Sequence, residues 1–249
     1  MNLYLRHIIF VFLALGCAIS DPGDCFEDAG PSSTKSVQLS EFSRVIVREG
    51  IELELVYGSE NRLEIEYNEG LLDHISYGIV DGRLELNNTN GCLFFTGFKP
   101  AKLRLTANNL VELRNASQYT IRSIDTLRFD SLLLISEDFL EDEVNVGDFE
   151  IVYKGSTLSV ITNNVSNFKL SGTATTFDIN VASGQGSLFA EALVAQTVRL
   201  FHRGTSDIFV YPVEEISGEI RGTGNVISAN RPPVINVDEL YTGRLLFRD

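Results

Sequence analysis

Tryptophan is absent from this chain of 249 residues, and histidine and cysteine occur three times each. Without tryptophan, an aromatic platform for sugars or partners has to come from Phe or Tyr. Of the histidines, His7 lies in a leader segment, which leaves His74 and His202. A nucleophilic triad needs a histidine that reaches a Ser or Cys. His202, in Leu200-Phe201-His202-Arg203-Gly204, reads instead as a rim or corner hydrogen-bonding residue. Basic residues are outnumbered, 20 Lys and Arg against 34 Asp and Glu, for a formal charge of −14, and they form no cluster. Nucleic acid is thereby excluded as a partner, because its phosphates need basic contacts. Direct adsorption on anionic lipid is disfavoured for the same reason. Acidity of this kind fits the solubility of an envelope protein. Nor is there a long hydrophobic run. Residues 8–15 are too few for a membrane-spanning helix, which takes about 20 apolar residues.

That short run has the layout of a secretory signal. Arg6 and His7 precede it, and the small residues Ala14 and Gly16 stand just before Cys17, so residues 1–16 read as a signal peptide. The stretch Leu13-Ala14-Leu15-Gly16-Cys17 resembles a bacterial lipobox, in which the cysteine thiol carries diacylglycerol. It departs from the usual order at Ala14 and Leu15, where a large aliphatic and then a small residue are more common. The cysteine count points the same way, because an odd thiol is a liability in an oxidising compartment. Lipidating Cys17 leaves Cys25 and Cys92 to pair as a disulfide. The alternative is a free or intermolecularly paired Cys17. Residues 17–36, rich in turn formers and acids, read as a lipidated tether, and residues 37–249 as one head domain.

From Val37 onward the period is two. Ile51-Glu52-Leu53-Glu54-Leu55 and Leu63-Glu64-Ile65-Glu66-Tyr67 alternate cleanly, which predicts strands buried on one face. The one weak helical stretch, Gly70 to Ile75, is hardly a turn long. A longer period appears in the second half, where strand-like pairs end at Gly184, Gly204 and Gly222, steps of 20 and 18 residues. A repeat of about 20 residues holding two short strands is the signature of a β-solenoid coil. Phe177, Ile179 and Val181 would then point inward, stacked on Val198 and Leu200 and on Ile216, Gly218 and Ile220. The corner glycines supply positive φ or close backbone approach. The competing architecture is a β-sandwich, whose strands recur every 8–12 residues.

The run Phe42-Ser43-Arg44-Val45-Ile46-Val47-Arg48-Glu49-Gly50-Ile51-Glu52-Leu53 resembles the opening of the putative auto-transporter adhesin head GIN domain family. Val80-Asp81-Gly82-Arg83-Leu84, the segment Leu103 to Leu110, and the corners Ser171-Gly172 and Ser183-Gly184 extend the resemblance from about Glu41 to Asn230. Arg203-Gly204 and Arg221-Gly222 depart from the usual Ser-Gly. Asp24-Cys25-Phe26 and Asn90-Gly91-Cys92 look like a subgroup with a cysteine pair, which agrees with the disulfide. The resemblance implies a right-handed β-helical solenoid on an envelope lipoprotein, with no catalytic residues to carry over.

Candidates for chemistry are few. Asp178 and Asp207 fall on successive repeats, and if they approached each other the chain could be a carbohydrate-active β-helix enzyme. The acidic run Glu137 to Glu143 matches no calcium-loop spacing and reads as a solvated loop. No metal or other cofactor is expected. The apolar loop holding Phe94, Phe95 and Phe98 reads either as a cap sealing the solenoid end or as an exposed binding patch. Asn115 and Tyr119 belong to a polar stretch that forms a ladder or joins that patch. Asp125-Thr126-Leu127 and Asp130-Ser131-Leu132 resemble short O-glycosylation acceptors. These features predict a non-catalytic, exported, lipid-anchored envelope protein, on the outer membrane, that binds glycans or envelope or host surface proteins. A periplasm-facing component of envelope assembly or sensing is the alternative.

Overall fold

Alternation sends Ile51, Leu53 and Leu55 into a dry interior while Glu52 and Glu54 face outward, and this rule repeats along nearly every strand. The computed structural model describes residues 30–90, 99–139 and 144–248. Among the described residues seventeen strands join in one sheet that curls on itself, so two walls enclose a single core. The first wall runs through β1 (Ser32–Gln38), β4 (Arg62–Asn68), β7 (Ala101–Ala107), β3 (Ile51–Tyr57) and β9 (Ile121–Leu127). The second runs through β5 (Ile75–Val80), β6 (Arg83–Asn88), β2 (Arg44–Arg48), β8 (Glu112–Ala116) and β10 (Ser131–Ser136). Four long strands then serve both walls in turn: β11 (Phe149–Thr162), β12 (Phe168–Val181), β13 (Leu188–His202) and β14 (Ile208–Ile220). Finally β15 (Val226–Ser228) and β17 (Leu245–Phe247) end the first wall, and β16 (Val234–Glu239) ends the second.

The long strands change walls because the buried positions change parity. In β11, Phe149, Ile151 and Tyr153 are buried, and beyond the bend Leu158, Val160 and Thr162 are. Coils stack in parallel register. Phe149, Phe168, Leu188, Ile208, Val226 and Leu245 form one column, in steps of 19, 20, 20, 18 and 19 residues. In the second wall Phe177, Val198 and Ile216 form another, and Ile179, Leu200 and Gly218 a third. This is the solenoid expected from the glycine spacing rather than a sandwich, since a sandwich joins strands by antiparallel turns and not by successive coils. The fourth column, Val181, His202 and Ile220, corrects the expectation for His202, which lies inside and fully buried rather than at the rim.

Polar side chains fix the spacing of the coils at the corners. The Asp148 carboxylate accepts from the Asn167 backbone N–H at 2.7 Å, and Asn167 Oδ1 accepts from the Ser187 N–H at 3.1 Å. Asp207 and Asn225 repeat the device, accepting from the backbone of Asn225 at 2.8 Å and of Arg244 at 3.0 Å. Gly184 has φ +99°, and a Cβ there would stand 2.0 Å from the Asn164 carbonyl of the coil before. Gly222 is needed for approach alone, its missing Cβ lying 2.1 Å from the Gly204 oxygen.

The opposite end is built differently. There β1, β4 and β7 pair antiparallel, as do β5 and β6, and a 3₁₀ turn at Glu69–His74 links the two groups. That turn is the short helical stretch legible in the sequence. Strand β1 begins at Ser32, inside the segment read as tether, and pairs with β4 along its whole length.

Candidate functional site

The outward faces of β10 to β14 in the second wall form a groove. Register alone assembles it: Leu133, Ser159, Asp178, Arg199 and Ser217 are direct neighbours on five successive strands. Short side chains at Ser159 and Ser217 leave a hollow of about 620 Å³ around the longer Asp178 and Arg199. Arg199 grips Asp178 with two bonds, Nε to Oδ1 at 2.7 Å and Nη2 to Oδ2 at 3.1 Å. That carboxylate raises the guanidinium pKa above its already high value. Leu133 and Ile161 make one end of the groove apolar, and Asn180 adds an exposed amide.

Beside it lies a second recess of about 430 Å³, lined by Phe201, Arg203, Glu219 and Arg221. Arg221 bonds Glu219 and holds its carboxyl below the usual range. Arg203 is exposed and makes no ion pair with any described residue. The face is mixed in sign. Asp178, Glu215, Glu219 and Asp238 act on arginines 199 and 221, so acids are at least as numerous as arginines here.

The first wall carries a different outer feature. Phe189 and Phe209 stack at 5.5 Å and 12°, Arg248 lies 4.8 Å from the Phe209 ring centroid, and Ile227 and Leu246 continue the column. Phe189 is 40% and Leu246 45% exposed, so the column is an apolar stripe facing solvent. Neither the groove nor the stripe was legible as a motif. Their residues lie 18–26 apart in sequence and become neighbours only when the coils stack.

The residues picked from sequence are scattered. Cys17, Cys25, Cys92, Phe94, Phe95 and Phe98 fall outside the described residues. Asn115 is fully buried and so contributes to no surface patch. Its Nδ2 donates to the Tyr119 carbonyl at 2.9 Å and to the Asp148 carbonyl at 3.2 Å, and its Oδ1 accepts from Ser117. Tyr119 is half-buried at the same corner. The two carboxylates proposed for glycan cleavage are not brought together. Asp178 lies on the open face of the second wall bound to Arg199, whereas Asp207 is a corner residue bound to Asn225. His74 ends the 3₁₀ turn at the antiparallel end and His202 fills the interior.

Of the acidic run, Glu137 is buried against Arg114 at 2.7 Å and Asp138 accepts from Asn163, so two carboxylates are already committed. Among the described residues no three His, Cys, Asp or Glu side chains group as metal ligands, and no helix is long and apolar enough to cross a membrane.

A search of curated proteins returns no match for the sequence. Solved structures share the fold. A putative adhesin from Bacteroides fragilis is 20% identical with a TM-score of 0.76, covering 88% of this chain and 97% of that one. A second, from Parabacteroides merdae, is 18% identical with a TM-score of 0.55, covering 88% and 97%. A Parabacteroides distasonis protein described as a putative lipid binding protein is 16% identical with a TM-score of 0.62, covering 87% and 97%. A family model described as putative auto-transporter adhesin, head GIN domain, matches residues 41–232, and this chain therefore belongs to that family.

Proposed function

We propose that this protein is an exported envelope lipoprotein whose solenoid head binds ligand on its outer surface and performs no chemistry. The observation that carries this reading is the groove of the second wall, a hollow of about 620 Å³ lined by polar groups from successive coils. Its central carboxylate is held by Arg199 rather than poised beside a second acid, which favours holding a ligand over cleaving one. Cys17 carries the lipid, residues 18–31 tether the head, and Cys25 and Cys92 pair as a disulfide. The loop with Phe94, Phe95 and Phe98 then caps the solenoid end or extends the binding surface.

A pull-down from the native envelope with the anchor intact should capture a specific envelope or host-surface component. Capture no greater than by a lipidated tether without the head would overturn the binding role. Intact-mass measurement should find a diacylglyceryl group on Cys17, and peptide mapping without reduction should find Cys25 joined to Cys92. Protease shaving of intact cells separates a surface-exposed head from a periplasm-facing one.

One observation favours a second reading. The stripe of Phe189, Phe209, Ile227 and Leu246 offers apolar area on the first wall, and a relative of the same fold is described as lipid binding. Flotation with neutral phosphatidylcholine vesicles, using protein that lacks the lipid anchor, tests it. Binding lost in Phe189→Ser with Phe209→Ser supports this reading, and no flotation of the parent protein removes it.

A further inference from the structure

We infer that the groove of the second wall takes an extended, uncharged oligosaccharide laid across the coils, roughly one sugar unit per coil. The inference rests on the binding role just given and names the ligand class. Its first support is spacing. Neighbouring strands of a sheet lie about 4.8 Å apart, which matches the length of one sugar ring in an extended chain. The groove crosses from β10 to β14, four such steps or about 19 Å. Four or five sugars would therefore each lie over one strand of the groove.

The lining chemistry is the second support. A pyranose has an apolar ring face and a rim of hydroxyls that donate and accept. Leu133 and Ile161 offer apolar contact at one end of the groove. Asp178 accepts, Arg199 donates, and each fixes the other, so neither loses much freedom when a hydroxyl binds. Ser159, Asn180 and Ser217 can do either at the neighbouring coils. A volume of about 620 Å³ is in the range of small-ligand sites.

Charge decides against an acidic glycan. Four carboxylates, Asp178, Glu215, Glu219 and Asp238, act on Arg199 and Arg221, and even with Arg203 the face holds fewer arginines than acids, within a chain of net charge −14. A polyanion would meet no surplus of positive charge, whereas a neutral, hydroxyl-rich chain is indifferent to the sign of the ion pairs it bridges.

Titration calorimetry on the intact head tests this with neutral series, from disaccharide to hexasaccharide, of β-1,4-glucose, β-1,4-xylose, β-1,4-mannose and α-1,4-glucose. Hexagalacturonate and a heparin hexasaccharide serve as charged counterparts. At least one neutral series should bind, with affinity rising with length and levelling off at four or five units. Ser217→Trp, which fills the hollow from an exposed face, should weaken binding at least tenfold, and Arg199→Ala about fivefold. Lys169→Trp on the first wall should leave binding unchanged, and all three variants should melt as the parent does. The inference is overturned by silence of all four neutral series at millimolar concentration, by tighter binding of the charged sugars, or by full binding to Ser217→Trp. A protein captured from the envelope that also binds Ser217→Trp would overturn it too, while leaving the binding role intact.

Discussion

His202 is the least comfortable side chain of the interior. It stacks between Val181 and Ile220, is fully buried, and neither ring nitrogen finds a well-aligned hydrogen-bond partner. Burial pushes its pKa down, and the nearby Ser206 and Gly224 backbone and the Asp207 carboxylate oppose this without cancelling it. A depressed folded-state pKa means that the unfolded chain takes up the proton first. Stability should therefore fall as the pH drops through the unfolded value near 6.5. His202→Leu should remove that part of the acid loss and raise stability by about 1–2 kcal/mol at neutral pH, read from urea melts between pH 5 and 8.

Two glycines separate strain from crowding. Gly82 has φ +74° in the Asp81-Gly82 turn between β5 and β6, with nothing within 4 Å of a built Cβ. Gly184 combines positive φ with a neighbouring carbonyl 2.0 Å away. Gly82→Ala should cost about 1 kcal/mol and Gly184→Ala about 3 kcal/mol or more, in the same denaturant assay. Ion pairs divide by burial in the same way. Glu137→Ala leaves the buried Arg114 guanidinium without its carboxylate, keeping only the backbone carbonyl of residue 137, and should cost about 3 kcal/mol, whereas the exposed Arg199 can be removed for under about 1 kcal/mol.

At the scale of elements, the four long strands hold most of the shared order. Phe149 and Phe168 stack at 4.9 Å and 11° at the start of β11 and β12. Phe168→Ala removes the ring packed between Phe149 and Leu188 and should destabilise by about 3–5 kcal/mol. Strands β16 and β17 are different, being largely exposed and paired on one edge only among the described residues. Amide exchange should be slowest in β12 and β13, which have neighbours on both sides, and fastest in β16 and β17. Equal protection along the chain would contradict this account of the fold.

These elements were unequally legible. The two-residue alternation of β3 and β4 and the 20-residue step of the later coils both follow from local sequence, because burial on one face imposes the first and coil stacking the second. The antiparallel end carries no such signal. The first five residues of strand β1, Ser32, Ser33, Thr34, Lys35 and Ser36, are all polar and read as tether until β4 offers them an edge.

For the whole molecule, the sequence by itself determined that the chain is all-β, acidic, and built of coils with a glycine-dependent corner. Those properties are written into neighbouring residues and their period. The tertiary structure decided what the outer faces present. Asp178 meets Arg199 and Phe189 meets Phe209 because the loops between coils set the register, and a shift of one residue would turn each to the opposite side. His202 is inside for the same reason: its place in the alternation, and not its polarity, fixed the direction of its side chain.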